Sequence, residues 1–158
     1  APGAHVQLVK LTDKVKEVIW NTDPGHDTLE ATLSFIQRHL STVCGRHGLA
    51  ARTVFAPGLP PLTLSAGLRR ELYLIAKEAV NNAVKHSGAT TFTFGARLQA
   101  GQLGLTFSDD GHGGAIHDAE GVGHGLRNIA GRAATVGAVV GVADVRPHGT
   151  RITLRIAV

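Results

Sequence analysis

The strongest constraint on the fold is a change in hydrophobic period near residue 90. From Ser65 to about His86, apolar residues recur at the spacing of one helix face. The stretches 91–98 and 102–108 are instead rich in β-forming residues, and the short turn Gln99 to Gly101 between them predicts a hairpin. A one-sided helix followed by a hairpin favours an α+β fold, because each element needs the other to cover its apolar face.

Capping and turn residues predict the remaining helices and strands. Asp27 or Thr28 can cap a second helix that ends near Gly45 or Gly48. The other predicted elements are a helix over 6–20, a break at 21–25, a strand over 49–55, a proline-rich connection over 56–62, a glycine-rich loop over 109–125, a helix over 126–136, and strands over 138–145 and 150–157. This order predicts a two-layer α/β sandwich, with helices on one face of a mostly antiparallel sheet.

Composition narrows the class of protein. The chain has 158 residues, of which 43% are hydrophobic and 18% charged, so wholesale disorder is excluded. No apolar run approaches the roughly 18 residues of a membrane span. The formal net charge of +4 suits an anionic partner such as nucleotide phosphates. A nucleic-acid partner is disfavoured, because aromatic residues make up only 4% and no dense Lys/Arg run occurs.

The long helix carries the first candidate site. Glu78, Asn82, Lys85 and His86 share one face at the edge of the apolar stripe. Carboxylate and amide oxygens beside an ammonium and an imidazole suit a metal-bound phosphate, because Mg²⁺ prefers hard oxygen ligands. The alternative is a solvated helix edge stabilised by its own polar ladder.

The second candidate is SDDGHGG, Ser108 to Gly114, directly after an apolar strand. A carboxylate at a strand end can accept a hydrogen bond from a ligand amino group, and the glycines let the backbone approach a flat ring. The alternative is a simple turn, since Asp-Gly is a common turn dipeptide. The ligand spacing of an EF-hand is absent.

The third candidate is GVGHGL, Gly121 to Leu126, at the start of a helix. Backbone N–H groups at a helix N-terminus bind anions. Leu126 excludes a dinucleotide fingerprint, which needs glycine there, and no P-loop occurs in the chain. The alternative is a flexible loop with a glycine-rich helix start.

Other reactive residues form weaker patterns. Cys44 and His47 are three residues apart near a helix end, which favours packing plus a surface histidine over a nucleophile pair. The histidines show no zinc-binding spacing, and no G-x-S-x-G elbow is present.

Together and in this order, four segments resemble the ATPase domain of the GHKL superfamily. They are EAVNNAVKH (78–86), SDDGHGG (108–114), GVGHGLRNI (121–129) and HGTRITLRI (148–156). The match is closest to bacterial two-component sensor histidine kinases of the short-lid class. Residues 125–138 and 19–36 resemble that class too, and the resemblance covers about residues 10–158. It implies a Bergerat-type ATP-binding fold over residues 23–158, with residues 1–22 a remnant of the dimerisation helix and junction.

The resemblance also implies roles for single residues. Asn82 would ligate Mg²⁺, and Glu78 would support that site or orient a water or the acceptor. Asp109 would accept a hydrogen bond from the adenine amino group, and Thr150 would share its network. The remaining nucleotide-binding positions would be Lys85 and His86 at the phosphates, Gly111 and Gly113 in the close turn, and Gly123, His124, Gly125 and Leu126 at the lid hinge and helix start.

The function implied is that of a protein-histidine kinase. The domain would position Mg-ATP for phosphoryl transfer to a histidine on a dimerisation domain, within a homodimeric parent that signals through a response regulator. The implied location is cytoplasmic, in a parent sensor that could be membrane-anchored. The alternatives are an anti-sigma-factor serine kinase of the same superfamily and a non-catalytic interaction module that keeps the fold.

The sequence departs from the family pattern in three places. Gly137-Ala138 stands where a Gly-Gly pair is common, and His148 stands where glycine often precedes the Gly-Thr pair. No histidine followed by Asp or Glu precedes the ATPase segment in a helical context. We therefore expect the chain to bind ATP without phosphorylating itself.

Overall fold

The structure is a computed structural model that describes residues 27–86, 88–112, 124–145 and 147–158. The predicted helix over 6–20 and the break at 21–25 lie outside the described residues. Within them the helices are α1 (Leu29–Arg46), α2 (Ala66–His86) and α3 (His124–Thr135), and the strands are β1 (Ala50–Phe55), β2 (Thr91–Gln99), β3 (Gln102–Asp109), β4 (Val139–Asp144) and β5 (Thr150–Ala157).

The five strands form one sheet in the order β1-β2-β3-β5-β4. β1 pairs with β2 in parallel, and every other neighbouring pair is antiparallel. The predicted α+β class, with a mostly antiparallel sheet, is therefore confirmed.

Local signals set the element ends close to their predicted places. Thr28 rather than Asp27 caps α1, because its hydroxyl oxygen accepts the Ala31 N–H at 3.1 Å. Ser65 Oγ accepts the Leu68 N–H at 3.1 Å and so caps α2. The β2–β3 hairpin turns through Ala100 and Gly101, whose φ angles of 54° and 75° are those of a two-residue primed turn.

The core lies between the helices and one face of the sheet. Alternate residues of the three central strands are buried, and Phe94 and Phe107 stack across β2 and β3 with ring centroids 5.2 Å apart. The other buried strand residues are Phe92, Ala96, Leu103, Leu105, Ile152, Leu154 and Ile156. The helices contribute Leu33, Ile36, Leu40, Leu72, Ile75, Val80 and Ile129.

Helical spacing predicts that Arg70, Lys77 and Asn81 lie on an outward face of α2. Arg70 is exposed as expected, whereas Lys77 and Asn81 are half-buried. Elsewhere on α2, α3 packs beside it, and Arg132 Nη1 lies 3.2 Å from Glu71 Oε2. α3 also begins at His124, two residues before its predicted start.

The helices that the structure describes are α1, α2 and α3. None of them is both long enough and apolar enough to cross a bilayer.

Replacing one core residue tests the two-layer packing. Leu105 is fully buried, so Leu105→Ala is expected to lower the free energy of unfolding by about 2–5 kcal/mol. Val54 is 58% exposed, and Val54→Ala is expected to change it by less than about 0.5 kcal/mol. Urea unfolding measures both, and equal losses would contradict the assigned core face.

Candidate functional site

Asp109 ends β3 on the side of the sheet that the helices cover. Leu103, Leu105 and Phe107 are buried on that side, and alternation along the strand places Asp109 in the same row. Its carboxylate is half-buried, and this burial raises its pKa. The Gly111 N–H, which donates to Asp109 Oδ1 at 2.9 Å, acts in the opposite direction.

β5, the strand beside β3, approaches Asp109 closely. Thr150 lies opposite Asp109 in the β3–β5 register, and its N–H also favours the ionised carboxylate. The backbone of Gly149 has φ 130°, and a Cβ there would overlap the Asp109 carbonyl oxygen. Only glycine therefore fits at position 149 without a shift of the backbone.

Asp110 points to the start of β2 and is fully engaged there. Its Oδ1 accepts the N–H groups of Thr90 and Thr91 at 2.8 and 2.9 Å, and its Oδ2 accepts the Thr90 hydroxyl at 2.6 Å. The Thr90 hydroxyl is the main reason that the pKa of Asp110 falls to about 2. These bonds fasten the loop after β3 to the chain that follows α2.

The second half of the site lies on α2 and at the start of α3. Glu78 and Asn82 are half-buried, whereas Lys85 is exposed. A Cβ at Gly125 would overlap the side-chain amide of Asn82, so the start of α3 lies directly against that amide. The structure thus brings Asn82 and Gly125 together, 43 positions apart in the printed numbering.

The other predicted site residues are placed unevenly. Gly111 is buried behind Asp109, and Leu126 is half-buried against the core. Gly113 and Gly123 lie outside the described residues, as do the side chains of His86 and His124. Their predicted roles therefore stay predictions.

Comparison with known proteins shows which family the chain belongs to. Residues 67–158 match the family model described as histidine kinase-, DNA gyrase B- and HSP90-like ATPase. The chain belongs to this ATPase family. The match takes in α2, Asp109, α3 and Thr150, and thus every residue discussed above as part of the site.

Relatives and solved structures agree with the family. The chain is 30% identical to the sensor histidine kinase LiaS of Bacillus subtilis over 60% of its length and 26% of that protein's. It resembles in fold the blue-light activated histidine kinase of Erythrobacter litoralis EL346, with 20% identity, a TM-score of 0.63, and coverage of 79% of this chain and 43% of that one. The histidine kinase AdeS of Acinetobacter baumannii gives 15% identity, a TM-score of 0.65, and coverage of 82% and 64%. The chain thus spans about a quarter of the curated relative.

The donor set of the ATPase site fits a hard cation with phosphates. Among the described residues, no three His, Cys, Asp or Glu side chains come together as a metal site. The Asn82 amide oxygen and the Glu78 carboxylate lie one helical turn apart and are the hard oxygens that Mg²⁺ accepts. With such few protein ligands, Mg²⁺ is normally completed by water and substrate phosphates.

Cys44 and His47 take no part in this site. Cys44 is buried on α1, and burial raises the pKa of its thiol, which disfavours the nucleophilic thiolate. His47 is exposed beyond the end of the helix. Both observations favour the packing interpretation of this pair.

Three residues that shape the candidate site were not predicted from the sequence. The sequence patterns predict no role for Thr90, include Asp110 only within the SDDGHGG segment, and include Gly149 only within a Gly-Thr pair. The Thr90–Asp110 contact joins residues 20 positions apart, and a local sequence pattern therefore cannot predict it. A glycine directly before a strand that pairs with Asp109 was the one available signal.

Gly149→Ala tests the close approach of β5 to Asp109. We expect it to destabilise the protein by about 1–3 kcal/mol, because alanine is strained at this φ and its Cβ would overlap the Asp109 carbonyl. Gly131→Ala is the matched control, since position 131 is helical and open, and there alanine should stabilise by about 0.5–1 kcal/mol. Thermal unfolding measures both, and changes of the same sign would contradict the geometry.

Proposed function

We propose that this chain is the ATP-binding catalytic domain of a sensor histidine kinase. It would hold Mg-ATP so that the γ-phosphoryl group passes to a histidine on a dimerisation domain. The observation that carries the proposal is Asp109, a half-buried carboxylate at the end of the core-facing row of β3, with Oδ1 held by the Gly111 N–H. This carboxylate is an acceptor suited to the amino group of adenine.

Burial makes this acceptor selective. A buried carboxylate that loses its hydrogen-bond donor is left unsatisfied, which costs about 1–3 kcal/mol or more for a charged group. A base without an amino group at that point would deprive the Asp109 carboxylate of one donor and leave it only the backbone N–H groups of Gly111 and Thr150. The half-buried position of Asp109 therefore supports recognition of adenine rather than of any purine.

The phosphate side of the site is built on α2 and α3. Asn82 and Glu78 offer oxygens, Lys85 offers an exposed ammonium, and Gly125 brings the N-terminal end of α3 against Asn82. When bound, Mg²⁺ would neutralise charge on the phosphates. The residues of the chain would orient the nucleotide, since phosphoryl transfer depends mainly on positioning and electrostatic stabilisation.

The wider context of the proposal comes from the relatives. The curated relative reported above is named a sensor histidine kinase, which favours that function over an anti-sigma-factor serine kinase of the same superfamily. We propose that the partners are ATP, a dimerisation and phosphoacceptor domain, a second copy of the parent protein, and a response regulator. We propose a cytoplasmic location for this domain.

Asp109→Asn separates binding from stability. Because the folded-state pKa of Asp109 is raised, its ionisation costs stability once the pH exceeds the unfolded-state value of about 3.9. At pH 7 the variant without nucleotide should therefore unfold at the same temperature as wild type or higher. Its midpoint should no longer rise with Mg²⁺ and a non-hydrolysable ATP analogue, whereas the wild-type rise corresponds to about 2.7 kcal/mol at 100-fold over Kd.

Glu30→Gln is the control for this measurement, because Glu30 is an exposed carboxylate on α1. Its nucleotide-induced rise should equal that of wild type. An undiminished rise in Asp109→Asn would contradict the adenine-binding role, and no rise in wild type would contradict the proposed function.

Asn82→Ala tests the metal-phosphate side. We expect the variant to bind an ATP analogue in EDTA as wild type does, and to lose the increase in affinity that Mg²⁺ gives wild type. Asn128→Ala is the control, since Asn128 is an exposed amide on α3. Calorimetric titration with and without Mg²⁺ measures both, and a full Mg²⁺ effect in Asn82→Ala would show that this amide is no ligand.

A further inference from the structure

His148 lies outside the set of nucleotide-binding residues, yet its side chain reaches the loop that carries Asp109. Its Nδ1 lies 2.6 Å from the Asp110 carbonyl oxygen and 3.1 Å from the Gly111 carbonyl oxygen. Carbonyl oxygens only accept hydrogen bonds, so Nδ1 carries the proton and donates to both. The ring bridges the turn before β5 and the turn after β3, across 38 positions of sequence.

The Asp110 carbonyl belongs to the peptide unit that sets the direction of one important donor. Gly111 is buried, and its N–H donates to Asp109 Oδ1 at 2.9 Å. That N–H shares a peptide plane with the Asp110 carbonyl, the group that His148 holds most closely. Fixing this plane fixes the N–H on Oδ1 and so the orientation of the Asp109 carboxylate.

The other side of the same loop is already fastened. Thr90, just before β2, and Thr91, its first residue, bind the Asp110 side chain, whereas His148, in the turn before β5, binds the loop carbonyls. Without His148, the described residues offer these two carbonyls no other side-chain donor. The Asp110–Gly111 peptide would then lose its hydrogen bond to the turn before β5.

We propose that His148 is a positioning residue for base recognition, which orients Asp109 toward the amino group of the bound purine through the Gly111 peptide. This inference rests on the proposed ATP-binding function. His148 acts through Asp109 and does not itself touch the nucleotide.

The test compares two nucleotides that differ at the recognised group. ADP carries the 6-amino group, and inosine diphosphate carries an oxo group there. We define the ratio as the Kd for inosine diphosphate divided by the Kd for ADP. If His148 positions Asp109, this ratio should fall about 3- to 10-fold in His148→Gln and His148→Ala, as expected for one weakened hydrogen bond. General loosening of the site would weaken both nucleotides alike and leave the ratio unchanged.

His148→Asn is the rescue variant. The asparagine Nδ2 lies the same number of bonds from Cβ as the histidine Nδ1, whereas the glutamine amide lies one bond farther. We therefore expect the ratio in His148→Asn to stay close to that of wild type. His47→Gln, at an exposed position beyond α1, controls for loss of a surface imidazole and should leave the ratio unchanged.

The outcomes separate the two proposals. If wild type binds neither nucleotide, the proposed function fails and this inference fails with it. If wild type prefers ADP and the Gln and Ala variants keep the full ratio, the ATP site stands and the role of His148 is refuted. A measurement on wild type needs no folded variant: ring ¹⁵N shifts of neutral His148 should show the proton on Nδ1, and a proton on Nε2 would overturn the proposal.

Discussion

The register of β3 between β2 and β5 is the constraint on which the site depends. Side chains alternate along a strand, so the pairing that buries Leu105 and Phe107 also places Asp109 on the core side. A slip of one residue would turn Asp109 to the open face and put Ser108 in its place. The hydrophobic core therefore holds the carboxylate that we propose binds the base in position, and the same pairing selects its face.

The two adjacent aspartates have different physical roles because they face opposite ways. Asp109 faces the core, where burial raises its pKa and outweighs the opposite effect of the Gly111 and Thr150 N–H groups. Asp110 faces the chain after α2, where Thr90 and Thr91 satisfy it and its pKa falls to about 2. Asp110 therefore stabilises the loop fully above its unfolded-state pKa of about 3.9, and this effect is lost as the pH falls from there through about 2. The loop is stabilised at Asp110, whereas burial of the ionised Asp109 costs stability. A ligand that donates a hydrogen bond to Asp109 can offset that cost.

The parts of this fold that the sequence predicts well are those set by neighbouring residues. The Ser65 cap, the helix it begins and the β2–β3 hairpin each depend on residues within a few positions of one another. Asn82 could be assigned to the core boundary because helical spacing fixes its face. The packing of α3 on α2 could not be predicted, because it joins residues about 60 positions apart, such as the Glu71–Arg132 pair. The contacts around Asp110, Gly149 and His148 escaped prediction for the same reason.

The contacts between elements also indicate which side of the site is formed before a ligand arrives. The side that we propose binds the base is fixed by hydrogen bonds, through Asp110 to Thr90 and Thr91 and through His148 to the Asp110 and Gly111 carbonyls. The side that we propose binds the phosphates is set by a steric contact, Gly125 against Asn82, at the first turn of α3. Hydrogen bonds define direction, whereas a glycine contact defines only distance. A nucleotide bound as proposed would therefore meet an oriented acceptor at its base and a close approach of two helices at its phosphates.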